Sequence, residues 1–270
     1  MTGGKGKAIP PILQAKRPRL PSVFTPESLL REASRQKKLP KSAAPDVCIL
    51  DPDGDIVRRL KAARKARKHR SWACYHTDLY MFRHRGARYG IVGCAVGAPF
   101  AVLVAEELFA SGCRLLLSMT SAGQIAPLRE PPYFVVIDRA LRDEGTSYHY
   151  RLPSMWSAAD QGLAAAVYAA LAEFRIPVDR GASWTTDAPF RETKPAIERA
   201  RSLGILAVEM EAAALYAFAR ARRRHVLCLA HVTNQMGRVE GDFEKGAKDG
   251  VTDALDVIAI ARRVWAARIK

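Results

Sequence analysis

Residues 208–214 read Val-Glu-Met-Glu-Ala-Ala-Ala. The apolar run before them predicts a buried strand that ends at Glu209, and the alanines after Glu211 predict a helix. Carboxylates at such a junction are costly to bury without hydrogen-bond partners, and a charged Glu can accept two hydrogen bonds from a vicinal diol such as that of ribose. Alternatively, both glutamates are exposed at a helix start, where the helix dipole stabilises negative charge. The residues alone leave both interpretations open.

Strand and helix signals alternate on both sides of this junction, which predicts an α/β fold, specifically a three-layer α/β/α sandwich with a mixed central sheet. The apolar runs that predict further strands are residues 47–50, 89–96, 114–119, 134–138, 182–185 and 226–232. The segments that predict helices are residues 25–38, 56–70, 100–111, 158–174, 195–202, 211–222 and 248–267. Small or polar residues follow three of the strands, at 97–99, 120–123 and 233–235. Because sites gather at strand ends, these loops are expected to converge on one cleft.

Positive charge is concentrated near the start of this 270-residue chain, whose net charge is +16. Residues 1–70 hold 18 Lys and Arg against 6 Asp and Glu, whereas the other 200 residues hold 25 against 21. We predict a basic, partly flexible N-terminal arm with a short helix at residues 1–44, flexible over 1–24, and a single domain at 45–270. The basic helix at 56–70 carries no nucleic-acid motif or interleaved aromatic residues, so we expect a solvated outer helix and no nucleic-acid partner.

Several classes of protein are disfavoured by what the sequence lacks. No apolar run approaches the length of a membrane span, and the first residues have no apolar stretch typical of a signal peptide. Five widely spaced cysteines suggest reduced thiols, so we expect a cytoplasmic protein without a membrane partner. The six histidines do not cluster, which predicts no metal site, and His149 is expected to be a packed or surface residue. Phosphate-binding and nucleophile-elbow motifs are also missing.

The junction at 208–214 resembles the ribose-binding signature of the nucleoside phosphorylases, a superfamily that includes purine nucleoside and uridine phosphorylases and related nucleosidases. Other segments resemble the same family and occur in the family's order. These are residues 96–99 with 105–108 and Gly112, 121–125, 142–148, 185–193 and 232–234. Together they cover roughly residues 45–268. The resemblance implies the family's three-layer fold and a homo-oligomer, either a dimer or a hexamer.

The resemblance also implies site residues. Glu211 would hold the ribose 2′ and 3′ hydroxyls, and Asn234 takes the position of the Asp that protonates the base in purine-specific members. These two are the implied catalytic residues. The implied substrate-binding residues are Glu209, Met210, Phe190, Arg191, Ser121 and Gly123, with Met210 against the sugar and Phe190 on the base. Ser121 and Gly97 are the implied phosphate-binding residues.

Phosphate binding is where the sequence departs from the family. Ile56 stands in place of a phosphate-binding Arg, Ser118 in place of a second, and residues 76–78 contain no third. The loop at 51–55 is acidic and would repel phosphate. The segment after Phe190 also lacks the Gln and Arg typical of uracil recognition. The expected activity is nucleoside phosphorolysis to base and ribose 1-phosphate, with phosphate as co-substrate and no cofactor. Hydrolysis by a nucleosidase and nucleoside binding without catalysis are the alternatives.

Overall fold

One mixed sheet of ten strands organises the part of the chain that the computed structural model describes, which is residues 9–14, 16–40, 42–236, 242–243, 245–246 and 250–269. The strands are β1 (Val47–Asp51), β2 (Ala66–Lys68), β3 (Tyr80–His84), β4 (Ala87–Gly93), β5 (Leu115–Gln124), β6 (Tyr133–Asp143), β7 (Trp156–Ala158), β8 (Val178–Thr186), β9 (Ile205–Glu209) and β10 (His225–Asn234). The helices are α1 (Pro26–Gln36), α2 (Asp55–Ala62), α3 (Ala98–Ala110), α4 (Ser147–Tyr150), α5 (Gln161–Glu173), α6 (Lys194–Ser202), α7 (Ala212–Arg222) and α8 (Val251–Arg268).

Five of the strands close into a ring by pairing in the order β5, β10, β6, β8, β9 and back to β5. Within it, β5 runs parallel to β10, whereas β6, β8 and β9 run the opposite way. The remaining strands extend the sheet from β5 through β1 and β4 to the edge strands β3 and β2, with β7 beside β6. The ring brings the carboxyl ends of β5 and β9 together, with Gly123 opposite Val208.

Helices cover the sheet, and α7 is the most deeply buried of those described. Its first eight residues are all buried, since it packs against α3, α4 and several strands. Alanine at five of these positions allows the close approach that such packing needs. On another side, α8 packs against α5 and α2. The predicted α/β fold with a mixed central sheet and flanking helices is therefore confirmed.

The predicted helix at residues 56–70 is wrong in its second half. α2 ends at Ala62, Arg64 adopts a positive φ of 55°, and residues 66–68 form β2. Leu60 is the last buried side chain of α2, so burial no longer favours helix beyond it. The chain instead gains antiparallel hydrogen bonds to β3 at the edge of the sheet.

Other differences concern element ends. The helix expected from residue 158 begins at Gln161, because Asp160 caps it by accepting a hydrogen bond from the Leu163 N–H. At the N-terminus, Thr25 caps α1 in the same way through Ser28, as its sequence predicts. Residues 1–8 and 15 of the predicted flexible arm, and residues 248–249 of the last predicted helix, lie outside the described residues. Within the described ranges, no helix has both the length and the apolar character needed to cross a membrane.

Candidate functional site

A cavity of about 440 Å³ lies where β5 and β9 meet, and most of the residues predicted for the site line it. Its walls come from the ends of β5, β9 and β10, from the loop after β1 and from the turn at residues 189–192. The predicted site residues that line it are Ser121, Gly123, Phe190, Glu209, Met210, Glu211 and Asn234. No group of three or more His, Cys, Asp or Glu side chains among the described residues is placed to hold a metal ion.

Glu209 is a fully bonded carboxylate inside the wall of this cavity. Its Oε1 accepts hydrogen bonds from the hydroxyls of Ser183 at 2.9 Å and Thr185 at 2.5 Å. Its Oε2 accepts from the backbone N–H groups of Glu211 and Ala212, each at 2.7 Å. Burial raises the pKa of Glu209, and these four donors oppose that effect. By accepting the N–H groups of Glu211 and Ala212, Glu209 fixes the backbone conformation at Glu211.

Glu211 is equally buried but only half bonded. Its Oε1 accepts a hydrogen bond from the Gly97 N–H at 2.8 Å, while its Oε2 is buried without a partner among the described residues. Gly97 precedes α3 with a φ of 86°, a conformation that favours glycine, and so presents its N–H to the carboxylate. Burial, with the charge of Glu209 adding to it, raises the pKa of Glu211 to about 8, and the Gly97 N–H and the Thr120 hydroxyl oppose this shift. One oxygen of Glu211 is thus left to accept hydrogen bonds from a ligand.

Asn234 and Gly123 lie together at the end of β5 and β10. The Asn234 amide donates to the Ala122 carbonyl at 3.4 Å and to the Thr233 hydroxyl at 3.3 Å, and its Oδ1 accepts from the Met236 N–H at 2.9 Å. A Cβ at Gly123 would lie 3.3 Å from Asn234 Oδ1. The small residue thus keeps open the space beside the amide.

The turn at residues 189–192 forms the outer wall of the cavity. Phe190 lines it and is 99 % exposed. Arg191 is exposed and is not among the lining residues, so the structure does not bring it to the cavity. Glu192, which the sequence interpretation did not single out, is half-buried at the same wall, and burial raises its pKa to about 7.

An acidic loop occupies the side of the cavity where the sequence places phosphate. Asp53 Oδ2 accepts a hydrogen bond from the Ser121 N–H at 3.1 Å and pairs with Lys245 at the same distance. Asp55 pairs with Lys245 as well. Burial raises the pKa of Asp51, at the end of β1, to about 7. The Ser121 N–H was expected to face an anionic ligand. In the structure it already donates its hydrogen bond to the Asp53 carboxylate.

Two of these contacts had no signal in the sequence. Lys245 is 192 residues from Asp53 along the chain, in a segment without a motif. The two hydroxyl donors to Glu209 lie on β8, which pairs with β9 so that Thr185 is beside Glu209. The acidity of residues 51–55 was evident, but only the fold shows that it reaches Ser121.

Comparison with known proteins gives consistent results. The profile of the phosphorylase superfamily matches residues 45–264. A uridine phosphorylase of Thermococcus kodakarensis is 25 % identical over 247 residues, which cover 80 % of this chain and 86 % of that protein. A guanosine phosphorylase of Halorubrum lacusprofundi is 26 % identical over 64 % of this chain and 74 % of its own. A DeoD-type purine nucleoside phosphorylase of a Jannaschia species is 28 % identical over 64 % and 75 %.

Proposed function

Since this chain belongs to the phosphorylase superfamily, we propose that it cleaves the N-glycosidic bond of a nucleoside and that Glu211 holds the ribose. The observation that carries this proposal is the Oε2 atom of Glu211, which is buried at the cavity without a hydrogen-bond partner among the described residues. Because an unpaired buried acceptor is costly, a ligand that donates hydrogen bonds there gains binding energy. The vicinal hydroxyls of a ribose are such donors.

Glu211 also suits the charge that develops during cleavage. Breaking the C1′–N bond leaves positive charge on the sugar and negative charge on the base. A carboxylate held beside the sugar favours this transition state most strongly in a site that excludes water. Met210, which lines the cavity next to Glu211, is proposed to pack against the sugar.

Two polar side chains are available to the departing base. We assign the base to the end of the cavity near Phe190, where Glu192 and Asn234 also line the wall. A carboxyl group whose pKa is raised to about 7 is partly protonated at neutral pH and can donate a proton to a leaving group. Asn234 can donate a hydrogen bond but cannot supply a proton. We therefore place general acid catalysis at Glu192 and base orientation at Asn234.

Phosphorolysis is the first candidate reaction, and it is supported by the three relatives above, which are all phosphorylases. Phosphate would bind the Ser121 N–H and Lys245, with Gly97 nearby, after displacing Asp53 from both groups. No cofactor enters this reaction, and phosphate is the co-substrate. The products are the free base and ribose 1-phosphate.

A specific observation favours hydrolysis as a second candidate. The carboxylate of Asp53 already occupies the Ser121 N–H, and Asp55 lies beside it on Lys245. Two like charges about 4 Å apart repel by about 4 kcal/mol near a protein surface, so a phosphate dianion between these aspartates is disfavoured. His231 adds no positive charge at neutral pH, because burial lowers its pKa to about 4.

Water meets no such repulsion, and Asp53 can act as its base. In this reaction the water oxygen forms a bond to C1′ while the C1′–N bond breaks. The water proton passes to the Asp53 carboxylate, and the leaving base takes up the proton of Glu192. The products are the free base and free ribose, and no other reactant is required.

Product analysis on a panel of purine and pyrimidine nucleosides, with and without phosphate, tests the proposal. Ribose 1-phosphate formed only when phosphate is present supports phosphorolysis, whereas free ribose formed at a rate independent of phosphate supports hydrolysis. Binding of nucleosides without turnover of any of them contradicts cleavage and supports a binding protein. Asp53→Asn should abolish hydrolysis but strengthen phosphate binding. Asp55→Asn is the matched control for hydrolysis and should retain it, because Asp55 contacts Lys245 without reaching the Ser121 N–H.

A further inference from the structure

Two cavities larger than the candidate site, and one smaller cavity, lie at the opposite end of α7. Glu211 is the N-cap of α7 and Arg223 is its C-cap, so about 16 Å of helix separates the two ends. Three adjoining cavities of about 820, 780 and 310 Å³ open at the C-terminal end, and Arg220 lines all three. We call this surface the arginine groove. Arg19 of the N-terminal segment lines one of these cavities. The arginines of the domain that line them, and that define the groove, are Arg142, Arg151, Arg220, Arg222, Arg223 and Arg224.

Positive charge in the groove is largely uncompensated. Asp160 is the one carboxylate among the described residues that line it, and Asp160 caps α5. Arg222 pairs with Glu106 at 3.1 Å. The other four surface arginines are exposed and form no ion pair with a described carboxylate; these are Arg151, Arg220, Arg223 and Arg224.

A buried cation lies beneath this surface. Arg142 is 5 % exposed and lines the smallest of the three cavities. Its guanidinium donates to neutral acceptors, which are the hydroxyls of Ser147 and Ser154 and the carbonyls of Arg151 and Leu152. No described carboxylate forms an ion pair with it, although the charge of Glu144 partly opposes the lowering of its pKa by burial. The charge of Arg142 thus adds to the positive potential of the groove, in part offset by Glu144.

Helix capping accounts for only part of this cluster. Cations near a helix C-terminus are favoured by about 0.3–1 kcal/mol each, which explains arginines such as Arg220 and Arg222 in the last turn of α7. Arg151 and Arg19 come from other segments and line the same cavities. Their convergence on one groove is not explained by the end of a helix.

The shape and chemistry of the groove select among polyanions. A bilayer surface is flat on this scale and does not enter a groove, and a second copy of the groove would bring like charges together. Arginine forms paired hydrogen bonds with phosphate, and a single nucleic-acid strand is narrow enough to follow a groove.

We propose that the arginine groove binds single-stranded nucleic acid through its phosphate backbone. This site is separate from the nucleoside cavity and does not depend on the function proposed above. Of the basic segment at residues 1–70, for which the sequence favours no nucleic-acid partner, only Pro18 and Arg19 are among the described residues that line the groove.

Fluorescence anisotropy of a labelled single-stranded RNA, and of DNA of the same sequence, titrated with the full-length protein at several salt concentrations tests this proposal. Each phosphate contact to a single strand contributes about −0.7 to the slope of log K against log salt, so the four unpaired arginines predict a slope of about −3. The variant R151Q/R220Q/R223Q should reduce the slope to about −1. The control K65Q/R67Q/R88Q removes the same charge from exposed positions elsewhere and should keep the wild-type slope.

Loss of salt-dependent binding in the groove variant alone, with an unchanged unfolding temperature, supports the proposal for RNA, DNA or both. Equal weakening in the groove variant and the control would show that net charge is responsible and would overturn it. Binding of inorganic polyphosphate or of phosphatidylserine vesicles, without binding of either oligonucleotide, would overturn it as well.

Discussion

Replacing Glu211 with glutamine should lower the free energy of unfolding at acidic pH and raise it at alkaline pH. Burial raises the pKa of Glu211 from its ordinary value of 4.5 to about 8. Since one pKa unit corresponds to about 1.4 kcal/mol, ionised Glu211 costs the folded protein about 5 kcal/mol. A folded-state pKa above the unfolded value means that stability is present at low pH and is lost as pH rises from about 4.5 to about 8.

Glutamine does not ionise, so the free energy of unfolding of E211Q does not fall with rising pH through this residue. Wild type should lose about 1 kcal/mol of unfolding free energy by pH 5 and about 4 kcal/mol by pH 8 through this group. The new amide leaves a buried N–H unpaired, which costs about 1–3 kcal/mol at either pH. E211Q should therefore be less stable than wild type at pH 5 and more stable at pH 8. The change between the two pH values, about 3 kcal/mol, is independent of the amide cost.

Guanidinium denaturation of both proteins at pH 5 and pH 8 measures this difference directly. Glu198→Gln, on the exposed face of α6, is the matched control and should shift the free energy of unfolding equally at both pH values. If the free energies of unfolding of wild type and E211Q change equally between pH 5 and pH 8, the raised pKa of the buried Glu211 carboxyl is refuted. The same variant should lose roughly 100-fold or more in kcat/KM, because hydrogen bonds to a charged group contribute about 1.5–3 kcal/mol each. A more stable E211Q with full activity would refute the ribose role.

Three further predictions concern the same region. The kcat/KM of wild type should give a bell-shaped pH profile with its maximum between about pH 7 and pH 8, because Glu211 must be ionised to accept both ribose hydroxyls and Glu192 must be protonated to act as the acid, and a flat profile would contradict this. Thr185→Val should lower the free energy of unfolding by about 2–4 kcal/mol in denaturant titration, because it unpairs Glu209 and the Ala213 N–H; unchanged stability would count against it. Tyr216→Phe should cost about 1–3 kcal/mol, since its hydroxyl bonds buried backbone groups, and should leave kcat unchanged, as activity assays would verify.

Central strands were predictable from the sequence because their apolar runs are continuous. β1, β5 and β10 are buried along nearly their whole length, so the pattern of residues reports their environment directly. The edge strands β2 and β3 were not predicted, since they are only partly buried and their sequence has no strict alternation. Their conformation depends on pairing with β4 and with each other, which is tertiary information.

The sequence was sufficient to predict where the site lies, but not how its residues are bonded to one another. The junction at 208–214 indicates two carboxylates next to a strand end, and the structure places both at the cavity. Neither the hydroxyl donors on β8 nor Lys245 is near the junction in sequence, so the local pattern does not show which carboxylate is bonded. The acidic loop at 51–55 predicted repulsion of phosphate, but its contact with Ser121 depends on the pairing of β1 with β5.

The two glutamates of the junction have opposite roles because one is saturated and the other is not. Glu209 receives four hydrogen bonds and holds the backbone N–H of Glu211, so it fixes the position of its neighbour. Its negative charge also raises the pKa of Glu211, which already has one unbonded oxygen. The fold therefore retains an electrostatic cost at Glu211 that a ligand can relieve. The vicinal hydroxyls of a ribose would relieve that cost, and this asymmetry at the cavity is therefore the structural argument for the proposed ribose site.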